Sequence, residues 1–128
     1  MTTAITAIIN NGLVRADQLP RDNRTSLSAY RGESVGLEVT LYNLNGTPYT
    51  AGNYSLVVYV ATRSGERVLR FEATGSTSGK DMNVTNFVLQ LPRYIVPASY
   101  LWELYAIIDG SEIQVMPTSS LLVTQTAR

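Results

Sequence analysis

Acid–base chemistry in this sequence would fall to its carboxylates: of 128 residues ten are Asp or Glu, and none is His or Cys. The missing types remove Ser-His and Cys-His nucleophilic catalysis, histidine general bases, disulfides and every zinc site with the usual ligands. The acids are Asp17, Asp22, Glu33, Glu38, Glu66, Glu72, Asp81, Glu103, Asp109 and Glu112. Most fall in expected turns or at outward strand positions, where solvated charge is the reading and a glycosidase-like pair is not. Glu38 and Glu103 sit inside strand patterns, yet alternation puts each on the face opposite the densest apolar set. There is no Asp-x-Asp-x-Asp-Gly calcium loop, no Gly-x-Gly-x-x-Gly and no Walker Gly-Lys-Ser/Thr. The expectation is a protein that is not an enzyme, with no catalytic residue, no metal and no cofactor.

The remaining side chains suited to recognition are aromatic and cationic. Eight Tyr and one Trp raise the possibility of a sugar or peptide platform, because exposed rings stack on ligands. Tyr54, Tyr100 and Trp102 follow core periodicity and read as structural. Tyr30, Tyr42, Tyr49 and Tyr94 lie near strand ends or in loops and read as free for contacts. Nine of ten cations are Arg, with Lys80 the one lysine. Arginine is the cation favoured at protein interfaces, although a GC-rich genome gives the same bias. Asn-x-Ser/Thr sequons at Asn23, Asn45, Asn53 and Asn83 are read as turn chemistry. A net charge of zero leaves no surplus of cations for binding nucleic acid. No apolar run is long enough to span a membrane, and the N-terminus lacks the basic region of a secretory signal. The expected site of synthesis is a cytoplasm.

These side chains need a scaffold, and the hydropathy pattern supplies one. The chain length suits a single domain, with a folded surface of roughly 6,700 Å² against about 20,000 Å² unfolded. From Ser34 the pattern has period two: Val35, Leu37, Val39 and Leu41 alternate with small or polar residues, the mark of a strand with one buried face. The tract 43–48 holds Asn-Gly and Pro, a turn signal. Strands are then expected over 54–60, 67–73 and 83–91, with a turn at 63–66, a polar loop at 74–81, and Pro92 ending the last ladder. Tyr100–Ile108 and Ser111–Met116 flank Asp109-Gly110, which predicts a hairpin with a primed turn. A last strand is expected at 121–125. Six or seven strands and no helix after residue 33 predict an all-β, immunoglobulin-like antiparallel β-sandwich over 34–128. Residues 1–33 differ. Their apolar members Ile5, Ile8, Ile9, Leu13 and Val14 come early, and a polar run with Pro20 follows to Arg31. This stretch reads either as a strand plus a long loop or as an extended N-terminal arm that lies on a neighbour.

The segment from Tyr30 to Thr50 has an Arg-Gly-acidic entry (Arg31, Gly32, Glu33) into an alternating strand. An Asn-Gly-x-Pro turn (Asn45, Gly46, Pro48) follows. A strand starts near Tyr54, and a later hairpin begins Pro97, Ala98, Tyr100, Trp102, Glu103, Leu104. In these features residues 30–125 resemble the small immunoglobulin-like structural domains of tailed bacteriophages. That group is typified by the N-terminal domain of baseplate upper proteins and by related head-fibre or decoration modules. The resemblance implies assembly into a virion, after synthesis in the host bacterial cytoplasm, and carries over no catalytic residue. Baseplate upper proteins usually continue into a coiled coil and further domains, whereas the sequence stops at Arg128; the expectation drawn is a capsid decoration or cement protein that stabilises the assembled shell. The alternatives are a tail or baseplate component and a carbohydrate- or receptor-binding module. The implied partners are the major capsid protein or other virion structural proteins, engaged in multiple copies or as a homo-oligomer. The residues expected to make the contacts are Ile5, Ile8, Ile9, Leu13, Arg15, Arg21, Arg24, Tyr30 and Arg31.

Overall fold

In the computed structural model, residues 2–8, 25–43, 47, 49, 54–75, 84–116 and 118–125 are described. Among them there are nine strands and no helix. The strands are β1 (Thr2–Ile8), β2 (Leu27–Tyr30), β3 (Ser34–Tyr42), β4 (Tyr54–Ala61), β5 (Arg67–Gly75), β6 (Val84–Gln90), β7 (Ala98–Ile108), β8 (Ser111–Gln114) and β9 (Ser119–Thr124). They form one sheet in the order β1-β3-β6 and a second in the order β2-β9-β7-β4-β5, with β8 also paired to β7. The long β7 holds two partners on one side, β9 along residues 98–102 and β8 along 105–108.

Alternation decides the core as the sequence implies. Val35, Leu37, Val39 and Leu41 of β3 and Phe87 and Leu89 of β6 meet Leu56, Val58 and Val60 of β4 and Tyr100, Trp102, Leu104 and Ala106 of β7 between the sheets. β3 keeps its polar residues on the outer face, as its pattern of buried and exposed positions shows. One buried polar contact crosses the interior: the Tyr54 and Thr85 hydroxyls lie 3.0 Å apart, joining β4 to β6. The hairpin turn is of the primed kind, since Asp109 and Gly110 both have positive φ, 52° and 82°.

The expected sandwich is therefore present, with two additions before residue 34. β1 pairs in parallel with β3, and β2 pairs in parallel with the last strand, β9. Each sheet thus gains a parallel edge strand in an otherwise antiparallel ladder. Ile5 is 2% exposed and Ile8 is 7% exposed, because the odd positions of β1 face the interior and the end of the strand meets the second sheet. The Ile8 N–H donates to the Val115 carbonyl at 2.7 Å, tying the two sheets together at that end. The first apolar residues of the supposed arm are thus core residues of their own chain. Of the tract 43–48, Asn43 and Thr47 are described and close a turn through Asn43 N–H to Thr47 carbonyl, 2.8 Å. Asn45, Gly46 and Pro48 lie outside the described residues, as do residues 76–81 of the expected polar loop.

Candidate interaction surface

Glu72, Glu103 and Glu112 lie on the outer face of the larger sheet, and there they are already engaged. Arg67, at the start of β5, lies with its guanidinium 3.8 Å above the Tyr59 ring centroid and 5.5 Å from that of Tyr105. Its Nε donates to Glu103 at 3.3 Å and its Nη2 to the Tyr105 hydroxyl at 3.2 Å. Tyr59 donates to Glu112 on β8 at 2.9 Å, and the two tyrosine rings meet edge to face at 5.6 Å. Burial, and after it the Glu103 carboxylate, holds the Tyr105 phenol above its ordinary pKa. Arg70 pairs with Glu72 at 2.9 Å beside this cluster. Donors and acceptors here satisfy one another across β5, β4, β7 and β8, so the arrangement is a brace over the sheet face. Exposed pairs of this kind contribute about 0–1 kcal/mol each. Among the described residues no group of three acids is placed to hold a metal ion.

A different surface forms at the end of the sandwich where β2 turns into β3 and where residues 91–97 lead from β6 into β7. Three of the exposed large hydrophobic residues among those described, Tyr30, Tyr94 and Val96, lie at this end, and Leu122 is on β9, which pairs with β2. Tyr94 is 82% and Val96 67% exposed, while Ile95 between them is buried at 6%. The alternation means that one side chain of the connector anchors it in the core and its neighbours are presented outward. Backbone and side-chain bonds fix the segment further. The Leu91 N–H donates to the Glu33 carbonyl at 3.0 Å, and the Tyr100 hydroxyl donates to the Val96 carbonyl at 2.6 Å. Gln90 Nε2 donates to the Gly32 carbonyl at 3.1 Å.

The turn beneath the connector depends on Gly32. Its φ is +81°, and a Cβ built there would lie 3.0 Å from Cγ of Arg93. Gly32→Ala therefore meets both left-handed backbone strain and a neighbour that must move. A loss of about 1–2 kcal/mol is expected, read as a lower urea midpoint at unchanged m-value. Gly65→Ala is the control for the strain alone, since its φ is +98° and nothing lies within 4 Å of its built Cβ.

Beside this end runs a groove of about 550 Å³ lined by Thr3, Ser26, Leu27, Ser28, Ala29, Tyr30, Glu33, Ser34, Val35, Leu122 and Thr124. It marks the flank on which the edge strands β1 and β2 stand apart, whereas β5 and β6 lie against each other on the opposite flank. Glu33 closes one end of the β2 edge. Its carboxylate accepts from the Tyr30 N–H at 2.9 Å and its own N–H donates to the Tyr30 carbonyl at 3.0 Å. An acidic side chain on an open edge is one way in which chains prevent unwanted strand pairing.

Of the contact residues expected from sequence, Tyr30 and Arg31 are exposed at this end. Ile5 and Ile8 are in the core, and Ile9, Leu13, Arg15, Arg21 and Arg24 lie outside the described residues. Tyr94 is free for contacts as read, but Tyr49 is not: it is 6% exposed and packs edge to face on Tyr54 at 5.6 Å. Trp102 is fully buried and gives no sugar platform. Arg93, Val96 and Leu122 were not singled out by sequence. The available signal was the run Tyr94-Ile95-Val96 between Pro92 and Pro97, three apolar residues where a connector should be polar.

No protein-family model matches the sequence, and no curated protein matches it. Solved structures do. One similar structure is the N-terminal domain of phage TP901-1 ORF48, with a TM-score of 0.50 and 14% sequence identity over 98% of this chain and 100% of that one. A likeness at this identity speaks to the backbone alone: the chain shares the fold of that phage domain.

Proposed function

We propose that this chain is a structural component of a bacteriophage virion that acts by protein–protein contact and performs no catalysis, and that it belongs to the tail or baseplate. The observation that carries the choice of location is the burial of Ile5 and Ile8. The decoration reading took its mechanism from an apolar arm laid across neighbouring shell subunits, and the first part of that arm is β1 of the chain's own smaller sheet. What supports the tail or baseplate reading is the pair of likenesses. The motifs between Arg31 and Leu104 resemble the N-terminal domain of baseplate upper proteins, and the fold match runs the full length of a phage N-terminal domain. The chemistry on view agrees with assembly. Glu103, Glu72 and Glu112 are paired with Arg67, Arg70 and Tyr59, and Tyr94 and Val96 are presented outward from one connector.

The test is the copy number of the chain in purified particles, by quantitative mass spectrometry against the most abundant structural protein. A ratio far below one is expected. A ratio within a few-fold of one would return the chain to the shell as a decoration protein, and absence from particles would overturn the virion reading altogether.

A further inference from the structure

Four of the five arginines among the described residues divide into two groups. Arg67 and Arg70 are engaged by Glu103, Tyr105 and Glu72 of the same chain. Arg31 and Arg93 are exposed, lie on adjoining segments at the Tyr94 end, and have no acidic partner among the described residues. Their proximity is fixed by Gly32, which sits against the Arg93 side chain. Arg63 is also exposed, in the turn between β4 and β5. Tyr94 and Val96 project beside Arg93 from a connector that the burial of Ile95 and the Tyr100–Val96 hydrogen bond hold in place. A tyrosine and an aliphatic residue on a braced connector, with exposed arginines on that segment and the adjoining one, is the composition of a binding hot spot, with little ordering left to be done on contact.

We infer that this end of the sandwich docks the chain onto a different particle protein, in an apolar pocket rimmed by carboxylates: Tyr94 and Val96 enter the pocket, and Arg31 and Arg93 pair with the rim. The inference rests on the virion reading and names the surface and the partner's chemistry. Charge selects the partner. A two-fold contact between copies centred here would set Arg31 and Arg93 against the same residues of the second copy, with like charges opposed. The acid of the same turn, Glu33, has its carboxylate committed to the Tyr30 N–H. A phosphate backbone would satisfy the arginines but leaves Tyr94 and Val96 without an apolar receptor, and the chain as a whole has no cationic surplus.

The experiment uses phage particles whose copy of this chain carries a photo-crosslinking phenylalanine analogue in place of Tyr94, together with particles carrying Arg31→Glu with Arg93→Glu. Irradiation is expected to join residue 94 to one other particle protein, at a peptide containing Asp or Glu among apolar residues. The double charge reversal is expected to reduce copies per particle at least tenfold, while the thermal midpoint of the purified chain stays within a few degrees of the original. Arg31→Lys with Arg93→Lys should restore most of the loss, and Val88→Ser, an exposed position within the β6 ladder, should change nothing. A crosslink to a second copy of this chain, a crosslink to DNA, or normal incorporation of the charge-reversed chain overturns the inference and leaves the virion reading standing. Absence of the unmodified chain from particles overturns both.

Discussion

Trp102→Ala is expected to destabilise the chain by about 3–5 kcal/mol, the range for deleting a large aromatic side chain from a packed interior. Trp102 sits in β7 between Val60 of β4 and Ser119 of β9, and none of its surface is exposed. Removing the indole leaves a cavity between the sheets, and the surrounding strands are held by ladders on both sides and cannot close it. A second loss is polar. The indole N–H donates to the Thr25 carbonyl at 2.9 Å, and the Thr25 N–H donates to Ser119 Oγ at 3.2 Å, so the tryptophan helps to fix the entry to β2. For a single domain of this length the loss corresponds to a fall in Tm of roughly 10–20 °C. Native stabilities of about 5–15 kcal/mol make this a large fraction of the total. Trp102→Phe separates the two parts: most of the apolar volume stays, the bond to Thr25 goes, and about 1–2 kcal/mol should be lost. Urea unfolding followed by circular dichroism checks both, and a midpoint for Trp102→Ala equal to the original would mean that the indole is not in the core.

That the side chain of Trp102 faces inward is legible in the sequence, and the reason is general. A strand with one buried face has period two, so Tyr100, Trp102, Leu104 and Ala106 share a side whatever the strand pairs with, and all four are buried. The same holds for Val35 to Leu41. Periodicity names the face and is silent on the partner, which is why neither parallel pairing could be read. It also reaches a strand covered on both faces: Val57 and Tyr59 stand opposite Leu56 and Val58, which reads as cover on each side. Val57 is fully buried, flanked in register by Glu72 and Tyr105 under the aromatic brace. β2 was hidden for another reason. Leu27 and Ala29 do alternate with Ser28 and Tyr30, but four residues with one large apolar side chain carry too weak a pattern beside a polar run. Tyr49 lies outside any strand, so nothing local announced its packing on Tyr54. The interaction surface was half legible: Tyr30, Arg31 and Tyr94 stand out as exposed by type and place. Arg93 and Val96 gain their meaning from the turn at Gly32 and the buried Ile95, contacts made across the fold.

The two readings of the N-terminal stretch separate on one side chain. If residues 2–8 were an arm lying on a neighbour, Ile5→Ala would weaken incorporation into particles and leave the stability of the isolated chain unchanged. As the central residue of β1, Ile5 pairs with Val39, is 2% exposed, and belongs to the same apolar cluster as Leu37, Leu41 and Phe87. Ile5→Ala is therefore expected to cost about 2–4 kcal/mol in the purified chain, the lower part of the usual span because an edge strand can shift to fill part of the gap. Ala4→Ser, on the outer face of the same strand, should stay within about 0.5 kcal/mol of the original. Urea midpoints of the two variants decide the matter, and equal midpoints would restore the arm. The comparison also sets apart two effects that particle assays alone would mix. A chain carrying Ile5→Ala loses incorporation only as far as it loses folded molecules, so raising its stability by lowering the temperature should recover it. A chain with Arg31 and Arg93 reversed in charge is folded and fails at contact, so temperature should not rescue it.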